Sequence, residues 1–176
     1  MTDVILVNKH DEPIGKMEKL LAHQKGLLHR AFSIFLFNEN MQMLIQKRNI
    51  NKYHSGGLWS NACCSHPKPG EKIIDASLRR LIEELNVECQ LKKAFSFVYK
   101  VDFKNQLIEY EYDHVLIGKI NKTPKFNPEE ISELKWVSLE NLLIDLKINS
   151  DKYSYWFQII MKDYFYKIEK QLNEGL

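Results

Sequence analysis

The stretch that decides the fold reads Trp59-Ser-Asn-Ala-Cys-Cys-Ser-His-Pro-Lys-Pro-Gly-Glu-Lys-Ile-Ile-Asp-Ala-Ser-Leu-Arg-Arg-Leu-Ile-Glu-Glu-Leu-Asn-Val87. It begins with two adjacent thiols and a histidine, and a Pro-Gly turn then leads into a segment whose apolar residues have helical spacing. That apolar stripe consists of Ile74, Leu78, Leu81, Ile82 and Leu85. We therefore expect a helix that packs on a sheet and ends at Asn86, directly after a loop rich in reactive side chains.

Two pairs of opposite charges lie on the polar side of this helix. Arg80 and Glu84 are one turn apart on one flank. Arg79 and Glu83 share the side that faces away from the apolar stripe. Spacing alone favours two solvent-exposed ion pairs. The position of these residues within the whole stretch favours a functional role instead.

Counted from Ser65, the stretch resembles the Nudix box, G-x5-E-x7-R-E-U-x-E-E-x-G-U, in which U is an aliphatic residue. The residues that match it are Glu71, Arg79, Leu81, Glu83, Glu84 and Val87. Three positions depart from it, since Ser65 and Asn86 replace glycines and Arg80 replaces the first glutamate. The flanking segments, Trp-Ser-Asn-Ala-Cys-Cys-Ser-His-Pro and Glu109-Tyr-Glu111, resemble one branch of this superfamily, the type I isopentenyl diphosphate isomerases.

This resemblance extends from about Val4 to the C-terminal helix. It implies an α/β fold, a Nudix-type α/β/α sandwich with a mixed sheet, as a single domain over residues 1–176. The implied enzyme belongs to isoprenoid biosynthesis and interconverts isopentenyl diphosphate and dimethylallyl diphosphate through a tertiary carbocation. Because a proton is added at one end of an alkene and lost from the other side of the cation, such an enzyme needs an acid and a base on opposite faces of a dry pocket.

The resemblance also implies which side chains carry the chemistry. The expected catalytic residues are Cys64, Glu111, Tyr99 and Trp156. Cys64 and Glu111 would transfer the protons and Tyr99 would assist the acid. Trp156 would offer a π face to the developing cation. Taken alone, however, a tryptophan in an apolar helix is by default a core residue.

The two neighbouring thiols compete for the catalytic role. In the family, the acid-base cysteine lies two residues before a histidine ligand, which selects Cys64 over Cys63. Alternation along a strand agrees, because Cys64 and His66 would share one face. Cys63 and Cys89 are then expected to be packing residues. Nearby cations and a metal are expected to lower the pKa of the Cys64 thiol.

A metal site is the second implication. A lone histidine is usually a surface or satisfied side chain, so neither His23 nor His29 indicates a metal by itself. The resemblance implies one tightly bound divalent transition metal, Mn²⁺ or Zn²⁺, with the ligands His23, His29, His66, Glu109 and Glu111. Glu109, Glu111 and Asp113 alternate along a predicted strand. Three carboxylates on one face either meet water or repel one another, and a divalent cation relieves that repulsion.

A diphosphate site is the third implication. Solvated surface charge is the ordinary interpretation of Arg48 and Lys52. By resemblance, the substrate-binding residues are Lys19, Arg48, Lys52 and Arg80, whose cationic groups suit phosphate oxygens. Glu84 would bind Mg²⁺ together with the diphosphate. Arg80 stands where Nudix hydrolases generally carry a catalytic or metal-binding glutamate, so a group used in hydrolysis is replaced by an anion contact.

The composition agrees with a compact catalytic domain. The chain has 176 residues, of which 44% are hydrophobic and 27% charged, enough for one core. The net charge is +2 with both signs interspersed, so we expect no nucleic-acid partner. The expected assembly is a monomer or weak homodimer. No apolar run is long enough to span a bilayer and no signal peptide is evident. Three cysteines, two of them adjacent, fit a reducing compartment, and a cytoplasmic location is expected.

The remaining elements follow from apolar runs and turn residues. Strands are predicted at residues 4–7, 30–37, 42–48, 91–103, 109–120 and 131–137, with turns at 8–15 and at Lys104-Asn105-Gln106. The runs 30–37 and 42–48 suggest a hairpin. A helix capped by Ser138 and a final helix over 153–172, buried at its start, complete the chain.

Two rival functions are consistent with part of the pattern. A Nudix hydrolase acting on nucleoside diphosphate derivatives would keep Glu83 and Glu84, whereas Arg80 and the Cys64/His66 pairing count against it. A non-catalytic Nudix-like binding module is the other class. The retention of every expected polar residue argues against that module.

Overall fold

The computed structural model describes residues 2–103 and 106–175 of the chain. Its mixed sheet contains β1 (Asp3–Val7), β2 (Pro13–Glu18), β3 (His29–Phe37), β4 (Met43–Arg48), β5 (Trp59–Asn61), β6 (Cys63–Ser65), β7 (Leu91–Asp102), β8 (Ile108–Lys119) and β9 (Ile131–Val137). The helices are α1 (Lys19–Lys25), α2 (Ile73–Leu85), α3 (Leu139–Ile148), α4 (Tyr155–Ile159) and α5 (Phe165–Asn173). A 3-10 turn lies at Ser150–Lys152 and a π-helical turn at Ile160–Tyr164.

Strand β3 lies in the middle of the molecule because it is apolar on both faces. Phe32, Ile34 and Leu36 pack with α2 on one side of the sheet. Phe35 and Phe37 alternate with them and pack with α4 and α5 on the other side. Helices therefore cover both faces of a mixed sheet, which confirms the predicted α/β/α sandwich.

The neighbours of β3 open a gap in the sheet. Along one edge, β3 pairs in parallel with β8 over its whole length. Along the other edge, β3 pairs with β4 only near the hairpin turn, at Phe37 and Met43, and β6 then replaces β4. Strand β5 stays on β4 instead. Residues 59–65 thus bridge two diverging strands, and a pocket lined by side chains of β3, β4 and β6 lies at this gap.

The helix of the opening stretch forms as predicted, but its buried face is rotated. Asn86 ends the helix in the left-handed conformation with φ of 52°, as expected. Ile82, a predicted member of the apolar stripe, is 46% exposed, whereas Ser77 and Glu84 are buried. The Glu84 carboxylate can be buried because it pairs with Arg80. One flank of α2 therefore faces the pocket and not the solvent.

Most predicted strands are confirmed, as is the Ser138 cap, whose side chain accepts a hydrogen bond from the Asn141 backbone N–H. Three expectations were incomplete. The predicted turn at 8–15 runs into β2, α1 was not predicted, and the last helix begins later and is interrupted by the π-helical turn. Lys104 and Asn105 of the predicted turn lie outside the described residues. Among the residues described, no helix is both long and apolar enough to cross a membrane.

Candidate active site

The predicted catalytic and cationic residues meet in one pocket at the gap between β3 and β4. Its lining includes Lys19, Arg48, Lys52, Cys64, His66, Arg80, Glu84, Tyr99, Glu109, Glu111 and Trp156. Cys64 comes from β6 and Glu111 from β8, the two strands that flank β3. Arg80 and Glu84 enter from α2, and Trp156 enters from α4. The pocket therefore collects side chains from both helical layers and from the sheet.

Four of the five predicted metal ligands form one cluster at the buried end of this pocket. The donor atoms of His23, His29, His66 and Glu111 all lie within 4.8 Å of one another. Glu111 Oε1 is 2.9 Å from the Nε2 atom of His66, 3.5 Å from that of His29 and 3.7 Å from that of His23. Three imidazoles and a carboxylate around one point form a donor set that suits a divalent transition metal.

Backbone carbonyl groups orient two of these imidazoles so that the Nε2 atom of each faces the cluster. The Nδ1 atom of His23 lies 2.8 Å from the Lys19 carbonyl, and that of His29 lies 2.7 Å from the Leu27 carbonyl. Because a carbonyl only accepts, each Nδ1 carries a proton, so Nε2 is the nitrogen that the neutral imidazole would offer to a metal. Both Nε2 atoms are buried and have no hydrogen-bond partner among the described residues. Burial also lowers the pKa of His66 to about 4, which keeps it neutral. The residues fit a metal ion.

The fifth predicted ligand, Glu109, lies beside this cluster and not within it. Its donor atom groups with those of His23 and His54, and its Oε1 is 3.2 Å from His54 Nδ1. Tyr99 connects the two carboxylates, since its hydroxyl donates to Glu111 Oε2 at 2.7 Å and lies 3.3 Å from Glu109 Oε2. Burial and the neighbouring Glu111 raise the pKa of Glu109 well above its usual range. A divalent cation would relieve the cost of two buried carboxylates.

The two thiols lie on opposite faces of β6. Cys63 is completely buried in the cluster beneath α2. Cys64 lines the pocket, and its Sγ accepts a hydrogen bond from Arg48 Nη1 at 3.3 Å. Burial raises the pKa of the Cys64 thiol to about 12, and the Arg48 charge offsets only part of that rise. The expected lowering by cations together with a bound metal stays a prediction. The alternation argument for Cys64, by contrast, agrees with the observed faces.

The four predicted diphosphate contacts form the other end of the pocket. Burial lowers the pKa of Lys19 and of Lys52, and neighbouring arginines lower both further. Arg80 forms ion pairs with Glu83, Glu84 and Glu130. The buried Nε–H groups of Arg48 and Arg80 have no acceptor within the part of the chain that the structure describes. These unsatisfied donors favour an anion as the ligand at this end.

Trp156 belongs to both the core and the pocket. It is 3% exposed and packs within the apolar cluster of the C-terminal helices. Its Nε1–H donates to Asn61 Oδ1 at 3.0 Å, which fixes the ring. The Arg48 guanidinium lies 5.1 Å from the ring centroid. The default core interpretation and the pocket interpretation therefore both hold.

Two of the pocket residues that sequence reasoning missed, His54 and Glu130, make charged contacts within it. His54 contacts Glu109 and lies edge-on to Trp156, with ring centroids 6.0 Å apart. Glu130 forms ion pairs with Lys52 and Arg80. Both lie in loops without periodic spacing, so the only available signal was their residue type beside the predicted site.

Comparisons with known proteins bear on the fold and the family of the chain. Residues 27–157 match the NUDIX domain. A crystal structure of a protein from Deinococcus radiodurans shares the fold with a TM-score of 0.74 at 24% identity, covering 92% of this chain and 99% of that one. A MutT protein from Methanosarcina mazei Go1 has a TM-score of 0.65 at 18% identity, covering 82% of this chain and 95% of that one. At these identities the likeness concerns the fold alone.

Sequence relatives are more specific. The isopentenyl-diphosphate Delta-isomerase 2 of Aromatoleum aromaticum is 52% identical over 87% of this chain and 81% of its own length. The enzyme of the same name from Photorhabdus laumondii is 49% identical over 93% of both chains. The relative from Pectobacterium atrosepticum, an isopentenyl-diphosphate Delta-isomerase, is 43% identical over 90% of this chain and 89% of its own. With these identities and the NUDIX match, the chain belongs to the isopentenyl-diphosphate Delta-isomerase family of NUDIX domain proteins.

Proposed function

We propose that this isomerase interconverts isopentenyl diphosphate and dimethylallyl diphosphate with Cys64 and Glu111 as its two proton-transfer groups. The observation that carries the assignment is their placement. They enter one pocket from β6 and β8, on opposite edges of β3. An alkene between them would meet one group on each side, as an allylic shift of a double bond requires.

The proton balance is simple. One group donates a proton to the terminal methylene carbon of isopentenyl diphosphate, the alkene electron pair forms the new C–H bond, and a tertiary carbocation results. The opposite group then removes a proton from the carbon on the diphosphate side, and the electrons of that C–H bond form the new double bond. Because the reaction is reversible, the group that donates in one direction accepts in the other.

Two further side chains support this transfer. The Tyr99 hydroxyl donates to Glu111 Oε2 at 2.7 Å and so orients that carboxylate. The Trp156 ring lines the pocket and is held by Asn61, which allows its π face to stabilise the carbocation by about 2 kcal/mol. Burial of the pocket keeps out water that would trap a tertiary cation.

The protein uses divalent metal, and the residues divide into two sites. His23, His29, His66 and Glu111, joined by Glu109, would hold a transition metal, Mn²⁺ or Zn²⁺, which when bound offsets the charge of the paired carboxylates. Glu84 would hold Mg²⁺ with the substrate diphosphate. Lys19, Arg48, Lys52 and Arg80 would bind the diphosphate itself, supported by the unsatisfied Nε–H groups of the two arginines. We further propose a single-domain cytoplasmic enzyme, monomeric or weakly dimeric.

One experiment separates this isomerase from a Nudix hydrolase. Incubated with isopentenyl diphosphate and Mg²⁺ in D₂O, the metal-loaded protein should form dimethylallyl diphosphate, incorporate deuterium and release no phosphate. Arg80→Ala should raise KM without creating hydrolysis, because removal of a cation does not supply the missing carboxylate.

Arg79→Ala is the matched control. Arg79 lies one position away on α2 and does not belong to the pocket lining. Its Nε and Nη2 atoms donate to Glu71 at 2.7 and 2.8 Å, and its Nη1 atom pairs with Glu83. Its loss should leave KM unchanged. Phosphate release by the wild-type protein, or turnover of nucleoside diphosphates with no allylic product, would overturn the isomerase mechanism.

A further inference from the structure

A carboxylate outside the predicted site holds together the cations at the diphosphate end. Glu130 lies in the connection between β8 and β9, and its side chain is 22% exposed. Its Oε2 atom forms an ion pair with Lys52 Nζ, and its Oε1 atom lies 3.1 Å from Arg80 Nη2. One carboxylate therefore bridges two of the proposed diphosphate contacts.

The backbone around Glu130 is fixed to both of the segments that carry these cations. The Asn49 N–H donates to the Glu130 carbonyl at 3.0 Å, and the Asn49 side chain donates to the Pro128 carbonyl at 2.6 Å. The Asn127 N–H donates to the Glu84 carbonyl at 2.8 Å, at the end of α2. These bonds tie the connection to the loop before Lys52 and to the helix that bears Arg80.

The charges at this end require such a partner. Lys19, Arg48, Lys52 and Arg80 line one pocket and repel one another. A half-buried lysine without an anion would turn its flexible side chain toward water. Glu84 pairs with Arg80. Lys52 pairs with Glu130.

We infer that Glu130 is a positioning residue, which holds the Lys52 ammonium and the Arg80 guanidinium at the spacing that the diphosphate needs. An ammonium group has three donors and a guanidinium has five, so each cation can bind Glu130 and a phosphate oxygen at once. The substrate then meets cations that are already in place, which lowers the entropic cost of binding. This inference rests on the proposed diphosphate site.

Glu130→Gln tests it, because the amide keeps the size of the side chain and removes its charge. KM for isopentenyl diphosphate should rise about tenfold while kcat changes less than threefold, since the contact acts on binding and not on the proton transfers. Inorganic pyrophosphate should lose inhibitory affinity by the same factor. Glu129→Gln, an exposed neighbour, should change neither value. Glu130→Ala should repeat the effect, and thermal unfolding of each variant checks its fold.

A mutant cycle that combines Lys52→Met and Arg80→Met identifies the mechanism. If Glu130 acts through these two cations, adding Glu130→Gln to the Lys52→Met/Arg80→Met protein should raise KM less than threefold further. Fully additive effects, an unchanged KM in Glu130→Gln, or tighter pyrophosphate binding by that variant would each overturn the inference. A normal KM in Lys52→Met itself would instead refute the proposed diphosphate site, so the two failures are distinguishable.

Discussion

The two ends of the pocket contrast in the kind of polar group that they leave without a partner. At the histidine end, the buried Nε2 atoms of His23 and His29 make no hydrogen bond to any described residue. At the cation end, the buried Nε–H groups of Arg48 and Arg80 present donors without acceptors. Native proteins rarely bury such groups without a partner, so the unsatisfied groups at each end indicate the sign of the charge on its ligand. One end suits a metal cation and the other a phosphate anion.

The ends also differ in how they hold their own charges. The histidine end is mostly buried, and backbone carbonyl groups fix the imidazoles of His23 and His29. The cation end is partly exposed, and carboxylates neutralise it. The first is a preorganised cage, and the second is a set of ion pairs that can share a donor with an incoming ligand. Because the two ends are held differently, substitutions should be able to impair proton transfer, metal binding or diphosphate binding one at a time.

The largest effect is expected between the ends, at the thiols. Cys64→Ala should reduce turnover about 10³-fold, the scale of general acid-base catalysis, while metal content and pyrophosphate binding stay normal. Steady-state assays with metal analysis check this. Cys63→Ala, which alters the opposite face of β6, should retain turnover within a few fold. The reverse pattern would assign the proton transfer to Cys63.

The second effect breaks only the histidine end. His66→Ala removes one imidazole from the four-donor cluster and should weaken metal binding at least about 100-fold, measured by competition with a chelator. Pyrophosphate binding should persist. His114→Ala is a control, since His114 is also buried but pairs with Asp11 outside the cluster. Full metal occupancy in His66→Ala would remove this residue from the site.

The smallest effect breaks only the cation end. Arg48→Lys keeps the charge but loses the planar fork that contacts Cys64 and lies over Trp156. KM should rise about fivefold to tenfold, with metal content unchanged. Arg79→Lys makes the same exchange outside the pocket and should leave KM as it was. Loss of metal in Arg48→Lys would show that the two ends are not independent.

Local sequence was sufficient to predict much of this arrangement. Strand alternation separates Cys63 from Cys64, and the helical spacing places Arg80 and Glu84 on one flank. The layered architecture was expected from the family resemblance, and β3, which is apolar on both faces, accounts for it physically. Short-range periodicity carries this information because each pattern depends on neighbours within one element.

The remaining features depend on contacts between distant segments. Ile82 matches the apolar stripe, yet α2 turns its Glu84 flank to the pocket because Arg80 neutralises that carboxylate. Glu130 reaches Lys52 only because β9 pairs with β4 and brings two loops together. His54 reaches Glu109 in the same manner, from a loop to a strand. Spacing in one segment cannot report such encounters.

The π-helical turn at Ile160–Tyr164 determines which side of the last helical segment faces the core. Residues four apart pack in or against one apolar cluster: Trp156, Ile160, Tyr164, Ile168 and Leu172. In an uninterrupted α-helix each residue turns about 100°, so every step of four overshoots a full circle by about 40°. Four such steps would carry the stripe most of the way to the opposite side. A wider turn holds more residues per circuit and cancels part of this rotation. The orientation of the Trp156 ring in the pocket therefore depends on packing that extends along the helical segment to Leu172.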